Sequence, residues 1–186
     1  CGSVEVRIDM RQKENRHKRL GTKKISGIGL MIALAFVLSY IESMIPINIG
    51  IPGIKAGFSN IVVIFAMYVY GPFTAFGIAI VRIILVGFTF GSLASLMYSF
   101  AGGMLSFFVM FILKKADIFS VNGVSVAGGV SHNTGQIIVA MLVLKTKLLI
   151  YYLPALIISG TVAGVIVGIA GGLLIKRIGF VIRSQT

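Results

Sequence analysis

The sequence has few of the residues that build disulfide frameworks, metal centres and active sites. Its 186 residues include one cysteine, two histidines and five acidic residues. The single cysteine, Cys1, excludes a disulfide within the chain. Only His17, in a basic tail, could join His132 as a second imidazole, so we predict no metal site and no cofactor. Paired carboxylates, a Ser/His/Asp set and a Gly-Lys-Ser/Thr phosphate loop are also missing, and we predict no catalytic residue.

Charged residues are scarce as well, and hydrophobic residues take their place. Charged residues make up 12% of the chain, against about 25% in an ordinary soluble domain. Hydrophobic residues make up 57%, and several apolar stretches approach the roughly 20 residues that a helix needs to cross a bilayer. This composition excludes a soluble globular domain. We predict an all-α, multi-pass protein of the cell membrane, with a bundle of six transmembrane helices.

Positive charge is concentrated before the first apolar stretch. The net charge is +12, and seven basic residues lie between Arg11 and Lys24. With six spans and counting from Met10, twelve basic residues fall on the side of the N-terminus and three on the other. Cytoplasmic segments carry such an excess, so we predict that both termini are cytoplasmic. No folded basic domain is present to hold a nucleic acid, and we predict the lipid bilayer, not nucleic acid, as the partner.

The chain divides into a basic tail at 1–24, a membrane domain at 25–178 and a short cytoplasmic tail at 179–186. Met10 has the character of a natural start, so residues 1–9 are interpreted as an extension. Six spans are predicted within the membrane domain. Their ranges are 25–43, 59–70, 73–88, 93–113, 124–144 and 149–175, with a polar loop at 114–123.

Residues 45–60 cannot continue as a regular helix. Two prolines and three glycines interrupt this stretch, while isoleucines alternate with polar or turn-forming residues. Apolar loops of this length are uncommon as passive connections. We therefore predict a lid over the outer mouth of the helix bundle. The alternative is a loop that packs on the membrane interface.

The fifth span carries a stripe of polar and small residues. Ser125, Gly129, His132 and Gln136 recur at helical spacing, and Asn133 lies beside them. Polar groups of this kind cannot face hydrocarbon. They are predicted to face other helices or a cavity inside the protein.

A charged residue, Arg82, lies in the middle of the third span, about 13 Å from its start at ~1.5 Å per residue. His132 lies at nearly the same depth, and we predict that the two side chains meet inside the protein. The central spans hold no acidic residue, and Glu42 is expected at the far interface. Two interpretations of Arg82 stay open. It is either a structural lock that bonds helix ends and Asn60, or a group that holds a ligand's negative charge or orders the lid.

Small residues at four-residue spacing occur in two spans. Such pairs allow another helix to approach closely. In the first span they serve either packing within the chain or docking of another subunit, and in the sixth they predict a packing seam. The residues are Gly29 with Ala33 and Ala35 with Ser39 in the first span, and Gly160, Gly164 and Gly168 in the sixth.

Five runs of the sequence carry a resemblance to a known family: MIALAFVLSYIESMIP, KAGFSNIVVIFAMYVYGP, AIVRIILVG, SFAGGMLSFFVM and GVSHNTGQIIVA. In order and spacing they resemble the Gx transporter family, also called heptaprenyl diphosphate synthase component I. That family is similar to the substrate-binding S components of energy-coupling factor (ECF) transporters. The resemblance covers about 27–178, nearly the whole membrane part.

The resemblance implies both a fold and a mode of action. It implies six helices, a cytoplasmic N-terminus, a ligand site near the outer face and a first loop that acts as a gate. In S components the first helix docks on a transmembrane T component, and two ATPases power the toppling of the S component. Carried onto this chain, the docking positions are Gly29, Ala33, Ala35 and Ser39.

The predicted function is that of an S component for a small organic nutrient or cofactor precursor. The ligand classes considered are vitamin-like, flavin-related, isoprenoid-related and quinone-related molecules. The alternative is a non-transporting accessory subunit of a quinone-linked, redox-linked or isoprenoid-related assembly. Prenyl synthases hold Mg²⁺ on diphosphate with clustered aspartates, and this chain, with two aspartates, cannot perform that reaction alone. The candidate ligand-lining residues are Asn48, Lys55, Asn60, Arg82, Ser99, His132, Asn133, Gln136 and Tyr151.

Overall fold

The computed structural model describes residues 2–44 and 57–179, with side chains from residue 21 onward except that of residue 23. In these ranges every regular element is a helix, as the sequence predicts. The elements are α1 (Gly2–Met44), α2 (Asn60–Val69), α3 (Pro72–Phe90), α4 (Leu93–Ala116), α5 (Val121–Val143), a 3₁₀ helix (Leu148–Tyr152) and α6 (Leu153–Arg177).

Five segments are long and apolar enough to cross a membrane, which confirms a multi-pass protein. They are Lys24–Met44 within α1, the helices α3, α4 and α5, and Leu148–Arg177, which joins the 3₁₀ helix to α6.

The second predicted span is a helix, but a short one. With 10 residues, α2 is about 15 Å long at ~1.5 Å per residue, half of the ~30 Å hydrocarbon core. Seven of these residues are buried, so α2 lies inside the bundle and not on its lipid-facing surface. The predicted lid, apart from Gly57–Asn60, lies outside the described residues.

The connection between α4 and α5 is shorter than the predicted loop at 114–123. Ser120 caps the start of α5, and its hydroxyl accepts from the Gly123 N–H at 3.3 Å. Lys114 and Lys115 belong to the last turn of α4, where positive charge complements the helix dipole. Lys114 also donates to the carbonyl of Met67. This carbonyl is in the last turn of α2, where backbone carbonyls have no partner within their own helix.

Glycines bring α5 and α6 into close contact. The backbone of Gly129 faces Gly160, and Gly164 lies so close to Val126 that a Cβ there would be 2.6 Å from the valine Cα. One turn further along, Gly168 lies against Asn122 in the same way. The packing seam predicted for the sixth span is confirmed.

The seam makes a testable prediction about stability. Gly164→Ala should lower the free energy of unfolding by about 1–3 kcal/mol, because the backbone of α5 cannot move away from the added methyl group. Thermal unfolding in detergent measures the change. The matched control is Gly77→Ala, which meets no atom within 4 Å and should leave stability the same or slightly higher. Equal responses of the two variants would contradict the seam.

Candidate functional site

Polar side chains from four helices lie at one depth. Asn60, Arg82, Ser106 and His132 each lie roughly nine to eleven residues from the end of their helix on the side of Lys114, which is about 15 Å. This places them near the middle of a ~30 Å hydrocarbon core. All four side chains are buried.

A tight turn before α2 lies at the centre of these polar side chains. Gly57 has a φ of +88°, and its carbonyl accepts from the Asn60 N–H at 2.9 Å. The Gly57 N–H donates to the Glu42 carboxylate on α1. A Cβ at Gly57 would be 3.3 Å from Cδ2 of His132, so both the backbone angle and the ring favour glycine here.

The Arg82 guanidinium is bonded to this same turn. Its Nη1 donates to the Ser59 hydroxyl and lies 3.5 Å from Asn60 Oδ1. The Asn60 amide in turn donates to Ser106 of α4 at 3.4 Å. The bond from Arg82 to Asn60 that the lock interpretation predicts is present. Whether Arg82 also holds a ligand or orders the lid stays a prediction.

Glu42 is the residue that sequence reasoning placed wrongly. Expected at the interface, it is 4% exposed and lines the same small cavity as Arg82. The missed signal was spacing, because Ala35, Ser39 and Glu42 follow i, i+4, i+7 on one face of α1. Arg82 therefore has an opposite charge nearby, which the sequence analysis did not allow.

These side chains lie around a small cavity, which we call the niche. Its volume is about 20 Å³, enough for roughly one water molecule. Arg82 and His132 both line it, as predicted. The lining residues are Ser39, Glu42, Gly57, Ser59, Arg82, Ile83, Val86, Ser99 and His132.

The polar stripe of α5 divides between two neighbouring helices. His132 and Gln136 face α4 beside Gly102, with 3.0 Å between their Nε2 atoms. Asn133 faces α6 and donates to the Leu156 carbonyl at 2.8 Å. The polar residues of α5 therefore do not all point to one neighbour, because α5 packs between α4 and α6 and is buried on both sides. Within the described chain, the buried oxygens of Gln136 and Asn133 have no hydrogen-bond partner.

The predicted ligand residues do not all gather at the niche. Arg82, Ser99 and His132 line it, and Asn60 and Gln136 bond to residues that do. Two candidates lie elsewhere: Asn133 at the α6 contact and Tyr151, which is 80% exposed, in the 3₁₀ helix. Asn48 and Lys55 lie outside the described residues. Sequence reasoning missed Ser39, Glu42, Gly57 and Ser59 as lining residues.

The two small-residue pairs of α1 lie on different faces. Gly29 and Ala33 are exposed, and Gly29 has nothing within 4 Å of a Cβ built on it. Ala35 and Ser39 are buried in the bundle, so they are not open to a partner that docks on the outer face. Ala35 is six positions after Gly29, so it lies on a different face of the helix.

A second cavity adjoins the niche, and we call it the crevice. It lies between α1, α2 and α6 and has a volume of about 280 Å³. Glu42 lines both cavities. The other crevice residues are apolar: Leu38, Ile41, Phe58, Ile61, Ile166, Val167 and Ala170.

Comparison with known proteins identifies one family. The family model described as heptaprenyl diphosphate synthase component I matches residues 31–174, which include every described residue of the niche and the crevice. Comparison with curated proteins and with solved structures gives no match.

The opposite charges at the niche predict non-additive mutations. Arg82→Met should destabilise the protein by about 1–3 kcal/mol, because it leaves the buried oxygens of Ser59 and Asn60 without their donor and removes a positive charge from the cavity that Glu42 also lines. Adding Glu42→Gln should recover part of this loss, since glutamine is neutral and still accepts from the Gly57 N–H. Thermal unfolding of the four proteins measures the coupling.

In the control cycle, Lys176→Met takes the place of Arg82→Met. Lys176 is exposed at the end of α6, so Lys176→Met and Glu42→Gln should be additive. If Arg82→Met and Glu42→Gln were additive as well, the two charges would not stabilise each other.

Proposed function

Because the chain belongs to the heptaprenyl diphosphate synthase component I family and buries charged groups between its membrane helices, we propose that it is the substrate-binding S component of an ECF-type uptake transporter. Its cargo is a small organic nutrient or cofactor precursor. The single observation that carries this proposal is the niche, in which Glu42, Arg82 and His132 from three helices line one cavity.

Buried charges inside a membrane support a binding role. Placing an arginine at mid-membrane costs several kcal/mol on insertion scales, and such residues mark ligand or ion pathways by default. An apolar core would hold the helices together without that cost. The buried charged residues of the niche therefore fit recognition of a ligand's polar group better than folding alone.

The short helix α2 supports a binding role in a second way. Its first residue, Asn60, lies near mid-membrane, so the preceding turn at Gly57–Ser59 brings irregular backbone to that depth. Non-helical backbone is tolerated there only inside the protein or beside a cavity, and broken helices form the binding sites of many transporters. We propose that α2 belongs to a sixth span and that both termini are cytoplasmic.

Prenyl transfer is not the reaction that we propose for this chain. Synthases of that type hold Mg²⁺ on diphosphate with clustered carboxylates, and the two aspartates here are Asp9 and Asp117. Asp117 is exposed at the C-terminal end of α4, roughly 15 Å along the helix from Ser106, which lies at the depth of the niche. The proposed role is binding, with energy from partner subunits.

The proposed binding role can be tested through the molecule that the protein retains. Small molecules released from denatured protein and identified by mass spectrometry should include one that the wild type retains through purification. Arg82→Lys and His132→Phe should each lower its amount by about tenfold or more, because each removes a polar contact at the niche.

Asn133→Ala is the matched control for this measurement. It breaks the bond to Leu156 on α6 at the same depth but does not line the niche, so the ligand should remain bound. Equal loss of ligand in all three variants, in step with lower thermal stability, would assign the niche to folding alone.

The exposed Gly29/Ala33 face of α1 is the proposed docking surface for a T component, which associates with a pair of ATPases. Gly29→Leu should abolish their co-purification, because a side chain there would keep a partner helix at a distance. Gly77→Leu is the control, since Gly77 is equally exposed on α3. Co-purification of electron-transfer subunits in place of ATPases would support the accessory-subunit alternative.

A further inference from the structure

The crevice exists because α1 and α6 are separated. Both helices pack against α2, yet they make little direct contact with each other. Phe58 and Ile61 form the floor between them. At the mouth, Ile41 of α1 is 49% exposed and Ile166 of α6 is 50% exposed. The crevice therefore opens sideways, through an apolar surface that faces the bilayer.

One charged group lies in this apolar surface. Glu42 lines the crevice as well as the niche and is 4% exposed. A buried carboxylate requires hydrogen-bond donors or positive charge. A molecule in the crevice would thus place an apolar body against isoleucine and phenylalanine side chains and meet a carboxylate at its inner end.

The charge balance around Glu42 restricts the polar end of that molecule. Arg82 lines the niche together with Glu42, and its guanidinium is already bonded to Ser59 and Asn60. An anionic group that entered from the crevice would meet the carboxylate first and be repelled. A neutral donor or a cation would gain a hydrogen bond at the same position.

We propose, on the basis of the proposed transport function, that the crevice holds most of the ligand and that Glu42 binds its polar end. The ligand is a small amphipathic molecule with an apolar body and a neutral or cationic group that donates hydrogen bonds. The volume of about 280 Å³ is nearly twice that of a ~150 Å³ cavity that binds benzene, so one or two rings fit. Diphosphates and other strong anions are excluded.

Three probes that share one apolar body test this assignment. They are 2-naphthylmethylamine, 2-naphthylmethanol and 2-naphthoate, titrated into the full chain in nanodiscs of zwitterionic lipid, with empty nanodiscs subtracted. The amine and the alcohol should bind roughly tenfold or more tightly than the carboxylate, because of the Glu42 charge. Glu42→Gln should remove this preference and keep the Gly57 hydrogen bond.

A pair of tryptophan variants on α6 locates the binding. Ile166→Trp fills the crevice and should abolish binding of all three probes. Val162→Trp, one turn away on the exposed side and outside the crevice, should bind them as the wild type does. Naphthoate binding as tightly as the amine, or equal binding by the two tryptophan variants, would overturn the inference.

Two further outcomes distinguish a small-molecule ligand from a phospholipid, and the crevice assignment from the transport role. A phospholipid that co-purifies with the wild type, is displaced by the probes and is lost in Ile166→Trp would make the crevice a lipid site and overturn the inference. Probe discrimination without any co-purifying ATPases would support the crevice assignment and overturn the transport role, because only the transport role requires an energising partner.

Discussion

The structure depends on one set of contacts, those between the Gly57–Asn60 turn and two buried charges. Glu42 accepts from the Gly57 N–H, and Arg82 donates to Ser59 and Asn60. A charge in a bilayer is tolerated only with partners, so α1 and α3 must both meet this turn. The constraint places the start of α2 near mid-membrane.

The two sides of the bundle pack differently around this centre. On one side, glycine contacts join α5 to α6, and α4 packs closely on α5, which holds His132 in place. On the other side, α1 makes far smaller contacts and leaves the crevice beside α6. A well-packed wall opposite a loosely packed helix suits the proposed binding of a ligand between them.

Sequence reasoning was most successful where depth or spacing alone decides the outcome. The equal depths of Arg82 and His132 indicated that they would meet, and the spacing of Gly160, Gly164 and Gly168 indicated the seam. It failed where the outcome depends on how a helix is rotated about its own axis. Glu42 was expected at an interface, and Ala35 and Ser39 on a docking face, because the apolar pattern of a membrane helix does not show which side faces protein.

By itself, the sequence determined which polar groups had to be buried: one arginine, one histidine and a few amides lie within its long apolar stretches. It also placed a cluster of positive charge before the first of these stretches. The helical, multi-pass form follows because every backbone polar group must be bonded in lipid. Only the tertiary structure decided that Glu42 faces Arg82, that α5 divides its polar groups between α4 and α6, and that the crevice meets the niche. These depend on helix rotation and close approach, which packing of the whole bundle sets.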